Sequence, residues 1–296
     1  YLPITVGNNY NILQIGYGRY QNIIENEKSF ESSQSAIAIS LSKIQTNTFL
    51  SQLAFPVTKQ FLTKNSQEAI YYAEKLGYPV VLKSEYGAFG SRVYPDLQTQ
   101  KQVKGAFEII DSDIKRTKMN GVKILVEEFI EGNDYRILVA HNKIHAVYHR
   151  IPPKLIGDAK HSIAELINLE NKKPLRTGNS HTQSVYPKLV LGEAELFTLS
   201  KQNLTPLDIP NHGETVLLRS NANQSSGGTV EVVTDKIHPD NIRLAYEIAK
   251  TLKIDILGVD VLVDDIGNSF KEGKLKIIEV NHTPAIESWA FTDKTY

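Results

Sequence analysis

Gly258-Val259-Asp260-Val261-Leu262-Val263 and, after a short polar connection, Ile277-Ile278-Glu279-Val280-Asn281 are the stretches on which the reading of this chain turns. Both are rich in β-branched and aliphatic residues. Asp264-Asp265-Ile266-Gly267-Asn268 between them has the turn chemistry of a hairpin. Side chains alternate along a strand, so Glu279 and Asn281 share a face. In a suitable register Asp260 joins them, which puts two carboxylates and an amide oxygen together. Such hard donors suit a Mg²⁺ that also grips phosphates. On spacing alone the polar face of a solvated hairpin explains the same residues, and the rest of the chain has to decide.

The chain has 296 residues, enough to bury a substantial core. Lys and Arg number 33 and Asp and Glu number 33, so no bulk field argues for nucleic acid or an anionic membrane as a partner. The absence of cysteine excludes disulfides, thiolate metal sites and a cysteine nucleophile, and leans towards the cytoplasm. No apolar run reaches the roughly 18 residues of a membrane helix. The start, Tyr1-Leu2-Pro3-Ile4-Thr5, lacks the basic and apolar regions of a signal peptide, and a first residue other than Met points to a trimmed or partial chain. Asn-x-Ser/Thr triplets occur at Asn203, Asn223 and Asn281. The last two fall in candidate site segments and are not read as glycosylation sites.

The periodicity predicts short β pieces around Ile12–Ile15, a helix from Ser35 to Leu53, and a helix from Ser66 to Leu76 capped by Asn65 and stopped by Gly77. A buried strand Pro79–Lys83 follows, then a glycine-containing loop and a long helix, Thr99–Arg116. Strands are expected at Lys123–Phe129, Tyr135–Ala140 and Lys143–His149, the last two joined by the turn His141-Asn142. Helices Ile163–Asn171 and Glu193–Gln202 come next, separated by polar linkers such as Lys172-Lys173-Pro174 that are expected to be mobile. A strand Val216–Arg219, a loop to Thr229, a helix Pro239–Leu252 and the closing hairpin complete an α+β arrangement.

Lys83 ends its strand just before Ser84-Glu85-Tyr86-Gly87-Ala88-Phe89-Gly90-Ser91-Arg92, where a lysine and loop N–H groups could neutralise and cradle a phosphate. No Walker A sequence is present, which disfavours a P-loop enzyme. Val126-Glu127-Glu128-Phe129-Ile130-Glu131-Gly132-Asn133-Asp134-Tyr135-Arg136 offers an apolar strand running into acceptors and backbone groups, suited to an adenine edge and then a ribose. With Asp260, Glu279 and Asn281 downstream, this order resembles the ATP-grasp superfamily. Longer strings narrow the resemblance: Gly16-Tyr17-Gly18-Arg19-Tyr20-Gln21, Gly77-Tyr78-Pro79-Val80-Val81-Leu82-Lys83, Gly157-Asp158-Ala159-Lys160-His161-Ser162 and Leu218-Arg219-Ser220-Asn221-Ala222-Asn223-Gln224-Ser225-Ser226-Gly227-Gly228-Thr229 are similar to the ATP-grasp domain of cyanophycin synthetase and of bifunctional glutathione synthetase.

The resemblance implies an ATP-grasp fold in which two α+β lobes clasp ATP: a short N-terminal segment with the first helix at 1–54, a small lobe at 55–130 and a large lobe at 131–296. It implies that Lys43 and Lys83 contact ATP phosphates, with Gly87 and Gly90 in the loop that covers them. Glu127, Glu128 and Ile130 would form the adenine hinge and Asp134 would hold the ribose. Asp260, Glu279 and Asn281 would bind two Mg²⁺ ions, with Mn²⁺ as an alternative, and Arg219 and Lys83 would act in catalysis. Arg136, Arg150, Arg219, Asn221, Gly227 and Gly228 are the candidate substrate contacts, and Lys160 and His161 could gate the site.

The activity implied is an ATP-dependent carboxylate–amine ligase that works on an amino acid or peptide through an acyl phosphate. A homo-oligomer stays open. So do a small-molecule kinase of the same fold and a non-catalytic ATP-binding module, the latter suggested by Arg92 and the tail Trp289–Tyr296. In the family's glycine loop a third glycine commonly stands near Arg92, which leaves Arg92 either a phosphate contact or a stiffener of the lid. Cyanophycin synthetase also continues into a further ligase domain, so two-step polymerisation is not expected of this chain alone.

Overall fold

The computed structural model describes residues 4–7, 12–86, 92–119, 121–176, 186–222 and 226–284. It begins with a four-stranded antiparallel meander, β1 (Ile4–Gly7), β2 (Ile12–Ile15), β3 (Asn22–Glu25) and β4 (Lys28–Ser29). Only the β2 piece is legible in the sequence, because strands this short show little period. The single helix expected from Ser35 to Leu53 is two helices, α1 (Gln34–Ser40) and α2 (Lys43–Gln52). Ser42 makes the break: its backbone is extended (φ −106°, ψ 115°) and its Oγ accepts the Gln45 N–H, so it caps a new helix.

A four-stranded antiparallel sheet of order β5 (Gln60–Thr63), β8 (Ile124–Glu128), β6 (Val80–Ser84), β7 (Val93–Leu97) carries α3 (Ser66–Leu76) and α4 (Gln100–Arg116). Asn65 Oδ1 accepts the Glu68 N–H at 2.9 Å, and Gly77, at φ 87°, ends α3 as the sequence predicts. α4 buries Val103, Ala106, Phe107, Ile110 and Ile114, a stripe at three- and four-residue spacing. The edge strands β5 and β7 add to the expected set. β7 contains Pro95, which a ladder tolerates only at its edge and which hides the strand from a reading of propensity.

The second large sheet is also antiparallel, in the order β13 (Thr229–Val232), β10 (Lys143–Ile151), β9 (Asn133–Ala140), β14 (Ile256–Val263), β15 (Lys276–Asn281). The turn between β9 and β10 has positive φ at both His141 (48°) and Asn142 (57°), the geometry that matches strand twist in a two-residue hairpin. One face packs on α7 (Pro239–Leu252): Ile137, Val139, Leu257, Val259 and Val261 meet Leu244, Ala245, Ile248 and Leu252. Full burial of each large aliphatic side chain contributes about 1.5–3 kcal/mol. Ala36 of α1 and Leu50 of α2 join this same core, so both N-terminal helices pack with the larger sheet.

The β14–β15 connection begins with the expected turn, in which Asp265 Oδ1 accepts the Gly267 N–H at 2.8 Å. It then continues through a 3-10 turn at Phe270–Glu272 before β15. Asn241 of α7 organises the detour, donating to the carbonyls of Ile266 and Asn268 and accepting the Phe270 N–H.

Between the halves of the large sheet sits an inserted unit: β11 (Lys154–Ile156) paired with β12 (Thr215–Leu217), plus α5 (Ile163–Glu170) and α6 (Glu193–Lys201). Its own core includes Leu155, Ile163, Leu199 and Leu218. The Lys172-Lys173-Pro174 linker runs into a 3-10 turn, Pro174–Arg176, whose Arg176 is buried among hydrogen-bond acceptors. Among the described residues no helix is long and apolar enough to cross a membrane.

Candidate functional site

Register decides what the hairpin can do. β14 and β15 pair Asp260 with Glu279 and Gly258 with Asn281, so Asp260 joins Glu279 and Asn281 on one face. β9 places Arg136 opposite Asp260 and Asp134 opposite Leu262, and β10 places Arg150 opposite Asp134. The face opposite the α7 core therefore carries Arg150, Asp134, Arg136, Asp260, Glu279 and Asn281 as one polar array.

Within it, Arg136 binds Asp260 through Nε to Oδ1 at 2.6 Å and Nη2 to Oδ2 at 2.8 Å. Arg150 Nη2 adds a contact at 3.1 Å to Asp260 Oδ2, and Asn281 Nδ2 donates to the same oxygen at 3.2 Å. Asp260 is 1% exposed. Burial pushes its carboxyl up, but the Arg136 and Arg150 charges outweigh that and hold it below the usual carboxylate range. Arg150 also donates from Nε and Nη2 to Asp134 Oδ1, at 2.9 and 2.6 Å, and Arg136 Nη1 donates to the Pro284 carbonyl. The two guanidiniums neutralise the two carboxylates.

Lys43 opens α2 and places its Nζ 3.3 Å from Glu279 Oε1. Its neighbour Ser42 donates from Oγ to the buried Glu85 at 3.1 Å, two residues beyond Lys83. The N-terminus of α2 thus touches both lobes, Glu279 with Lys43 and Glu85 with Ser42. The lobes are tied again where the Ile277 N–H donates to the Pro56 carbonyl at 2.8 Å.

On the smaller sheet Lys83 and Glu127 form a buried pair, Nζ to Oε2 at 2.7 Å, and Thr58 Oγ1 donates to the other carboxylate oxygen. Glu128 Oε1 accepts the Lys59 N–H at 2.8 Å, and the chain leaves the ladder at Phe129-Ile130. Ile130 is half-buried there. Gly87 and Gly90 lie outside the described residues, as does the tail Trp289–Tyr296.

Arg219 is held inside the inserted unit by Glu195, Nε to Oε1 at 2.5 Å. Burial, Asp113 and Glu193 push the Tyr94 hydroxyl of β7 above its ordinary pKa, while the Arg219 charge acts the other way. Asn221 Oδ1 accepts from Ser226 Oγ at 3.1 Å, and Gly227 and Gly228 are buried. His161 and Lys160 belong to a tight turn on Asp158, with His161 Nδ1 2.6 Å from Asp158 Oδ2. The three guanidinium nitrogens of Arg92 go to Asp113, Met119 Sδ and Thr117 Oγ1 at the end of α4.

Reading the sequence did not single out the side chains that hold these groups, Thr58, Glu85, Glu195 and Arg176. All four are ordinary polar or charged residues, and only a buried partner distinguishes them.

The donor types suit a hard cation, with oxygens from two carboxylates and one amide on a single face. Glu279 is the more open carboxylate, its side chain one-third exposed, whereas Asp260 is already compensated by arginines. Among the described residues no group of three or more His, Cys, Asp or Glu side chains is placed to hold an ion by itself.

Residues 40–158 match the RimK-like ATP-grasp domain, a span that includes Lys43, Lys83, Glu127, Asp134 and Arg150. Cyanophycin synthetase of Crocosphaera subtropica is 34% identical over 274 residues, covering 92% of this chain and 31% of that protein. The bifunctional glutathione biosynthesis protein of Clostridium perfringens is 36% identical over 212 residues, covering 72% of this chain and 26% of that one. The crystal structure of a bifunctional glutathione synthetase from Pasteurella multocida superposes with a TM-score of 0.61 at 26% identity, over 96% of this chain and 38% of that chain. The chain thus spans about a third of the length of the curated relatives it matches. With its mixed helices and antiparallel sheets, it belongs to the ATP-grasp superfamily and carries a RimK-like ATP-grasp domain.

Proposed function

We propose that this chain is an ATP-dependent carboxylate–amine ligase acting on amino acids or peptides. The observation that carries the reading is the polar face itself, where Lys43, Glu279, Asn281, Asp260 and two arginines converge from α2 and four strands. Relatives named for cyanophycin and glutathione synthesis support it.

In this reading the lobes at 55–130 and 131–296 close on ATP, the N-terminal segment at 1–54 presents Lys43 to the site, and the enzyme works in the cytoplasm. A substrate carboxylate oxygen attacks the γ-phosphorus and ADP leaves. An amine nitrogen then attacks the acyl carbon, phosphate departs, and the amine gives up a proton. No protein nucleophile is needed, so the work is positioning and charge neutralisation.

Lys43 and Lys83 offset phosphate charge, and Arg219 steadies the acyl phosphate from the inserted unit. Glu127, Glu128 and Ile130 frame the adenine. Asp134 takes both Arg150 bonds on Oδ1, so Oδ2 is the oxygen for the ribose. Arg136 and Arg150 hold the acidic residues in place and set the charge that an anionic carboxylate meets. Asp260, Glu279 and Asn281 would hold Mg²⁺, two ions with Mn²⁺ as an alternative, which supplies charge neutralisation at the phosphates when bound.

The test is ADP release across pairs of amino acids and short peptides, with mass detection of the product and hydroxylamine trapping of the acyl phosphate. Glu279→Gln and Asp260→Asn should abolish amino-acid-dependent release while the chain stays folded. Unchanged turnover in both variants would sink the reading, and phosphorylation of a hydroxyl compound without hydroxamate would make the chain a kinase.

A further inference from the structure

Arg176 is 4% exposed, and no step of the reaction uses it. Its guanidinium is engaged on every edge. Nη1 donates to the Pro187 carbonyl at 2.8 Å and Nη2 to the Gly227 carbonyl at 2.9 Å, while Nε stands 3.5 Å from Glu170 Oε1. The guanidinium carbon lies 5.4 Å from the centroid of the Tyr186 ring. These partners come from three separate segments: the end of α5, the strap that holds Tyr186 and Pro187, and the loop leading into β13.

The strap is fixed a second time by Asn171, whose side-chain amide donates to the Leu189 carbonyl at 2.8 Å and accepts the Leu189 N–H at 2.7 Å. Leu189 in turn seats Gly227. A Cβ there would stand 2.4 Å from Leu189 Cδ2, and φ is 95°, so the position takes glycine. Two residues on, β13 begins and pairs Val230 with Arg150. The Arg176 bond is therefore the fixed point from which the Gly227-Gly228 backbone enters the sheet beside Arg150, Asp134 and Asp260.

We propose that Arg176 is a positioning residue for the carboxylate substrate: by holding the Gly227 carbonyl against the strap, it fixes the Gly227-Gly228 backbone that walls the substrate side of the site. The assignment rests on the ligase reading, which puts the activated carboxylate against this loop. A planar fork is required because two carbonyls in different segments must be met at once, which the point charge of a lysine does not do.

Hydrogen exchange on the ligand-free chain tests the pinning without any activity. In Arg176→Met and Arg176→Lys, amides 226–230 should exchange roughly tenfold faster or more, with α3 unchanged. Steady-state ADP release, with the substrate pair that the wild type turns over, tests the role. KM for the carboxylate substrate should rise roughly tenfold while KM for MgATP stays within about twofold.

Wild-type exchange at 226–230, or both KM values rising together, would overturn the assignment, and so would an Arg176→Lys variant indistinguishable from wild type. Should Arg176→Met fail to melt cooperatively, Arg176→Lys carries the test. A wild type that turns over no substrate pair defeats the ligase reading, and the exchange arm still decides whether Arg176 pins the loop.

Discussion

Asp260 and Arg136 stand directly opposite each other in the β9–β14 ladder and are joined by two hydrogen bonds, of 2.6 and 2.8 Å, on the polar side of a sheet whose other side is the main core. A carboxylate this deep is tolerable only when compensated, and Arg150 completes the compensation. The arginines therefore set where the acidic end of the site can be.

Arg136→Met should cost about 3–5 kcal/mol of stability, because it leaves Arg150 alone to compensate two buried carboxylates, Asp260 and Asp134. Adding Asp260→Asn should recover part of that loss. Urea denaturation of the two variants checks it, and a double variant weaker than Arg136→Met alone would refute the compensation.

Lys83 and Glu127 form a similarly buried pair on the small lobe. A double-mutant cycle with Lys83→Met and Glu127→Gln should give a coupling energy of about 0.5–3 kcal/mol in unfolding. Titration calorimetry should show weaker MgATP binding in both single variants. Independent, additive effects would mean that the pair does not act as a unit.

Arg92 adopts φ 60°, a conformation that costs a side-chain-bearing residue about 1–2 kcal/mol. Its clamp on Asp113 and Thr117 offsets that cost. Arg92→Ala loses the clamp and keeps the strain, whereas Arg92→Gly loses both. The glycine variant should therefore be more stable than the alanine variant by about 1 kcal/mol. Thermal melts of the pair decide this, and the reverse order would contradict it.

His149 stacks on Tyr135 at 4.9 Å, and burial holds its pKa below the ordinary value despite Glu231 and Asp134 nearby. In the unfolded chain it titrates at about 6.5, so on acidification the unfolded state takes the proton first. Stability should fall as the pH drops from about 6.5 through the lower folded value, and His282, shifted the same way by burial, adds to the fall. His149→Phe keeps the stacking and cannot protonate. Its loss of Tm between neutral and acid pH should be smaller than that of the wild type, and an equal loss would rule His149 out as a contributor.

Local signals carried far where one residue type has one job. Asn65 and Gly77 delimit α3, the stripe from Val103 to Ile114 marks α4, and alternation puts Glu279 and Asn281 on one face. Ser42 misled because a serine inside an apolar period reads as helix until its Oγ is seen to cap. The strands β5 and β7 were hidden because an edge strand is specified by its neighbour more than by its own residues.

The sequence by itself determined the α+β class, most helices, the ATP-grasp likeness and the order of acidic and basic groups along the chain, since these depend on spacing within single elements. Only the tertiary structure decided that Asp260 is neutralised by Arg136 and Arg150, that Lys43 reaches Glu279, and that Arg176 pins Gly227. Each of those pairs is set by strand register or by helix docking between residues far apart in the chain, which no local pattern encodes.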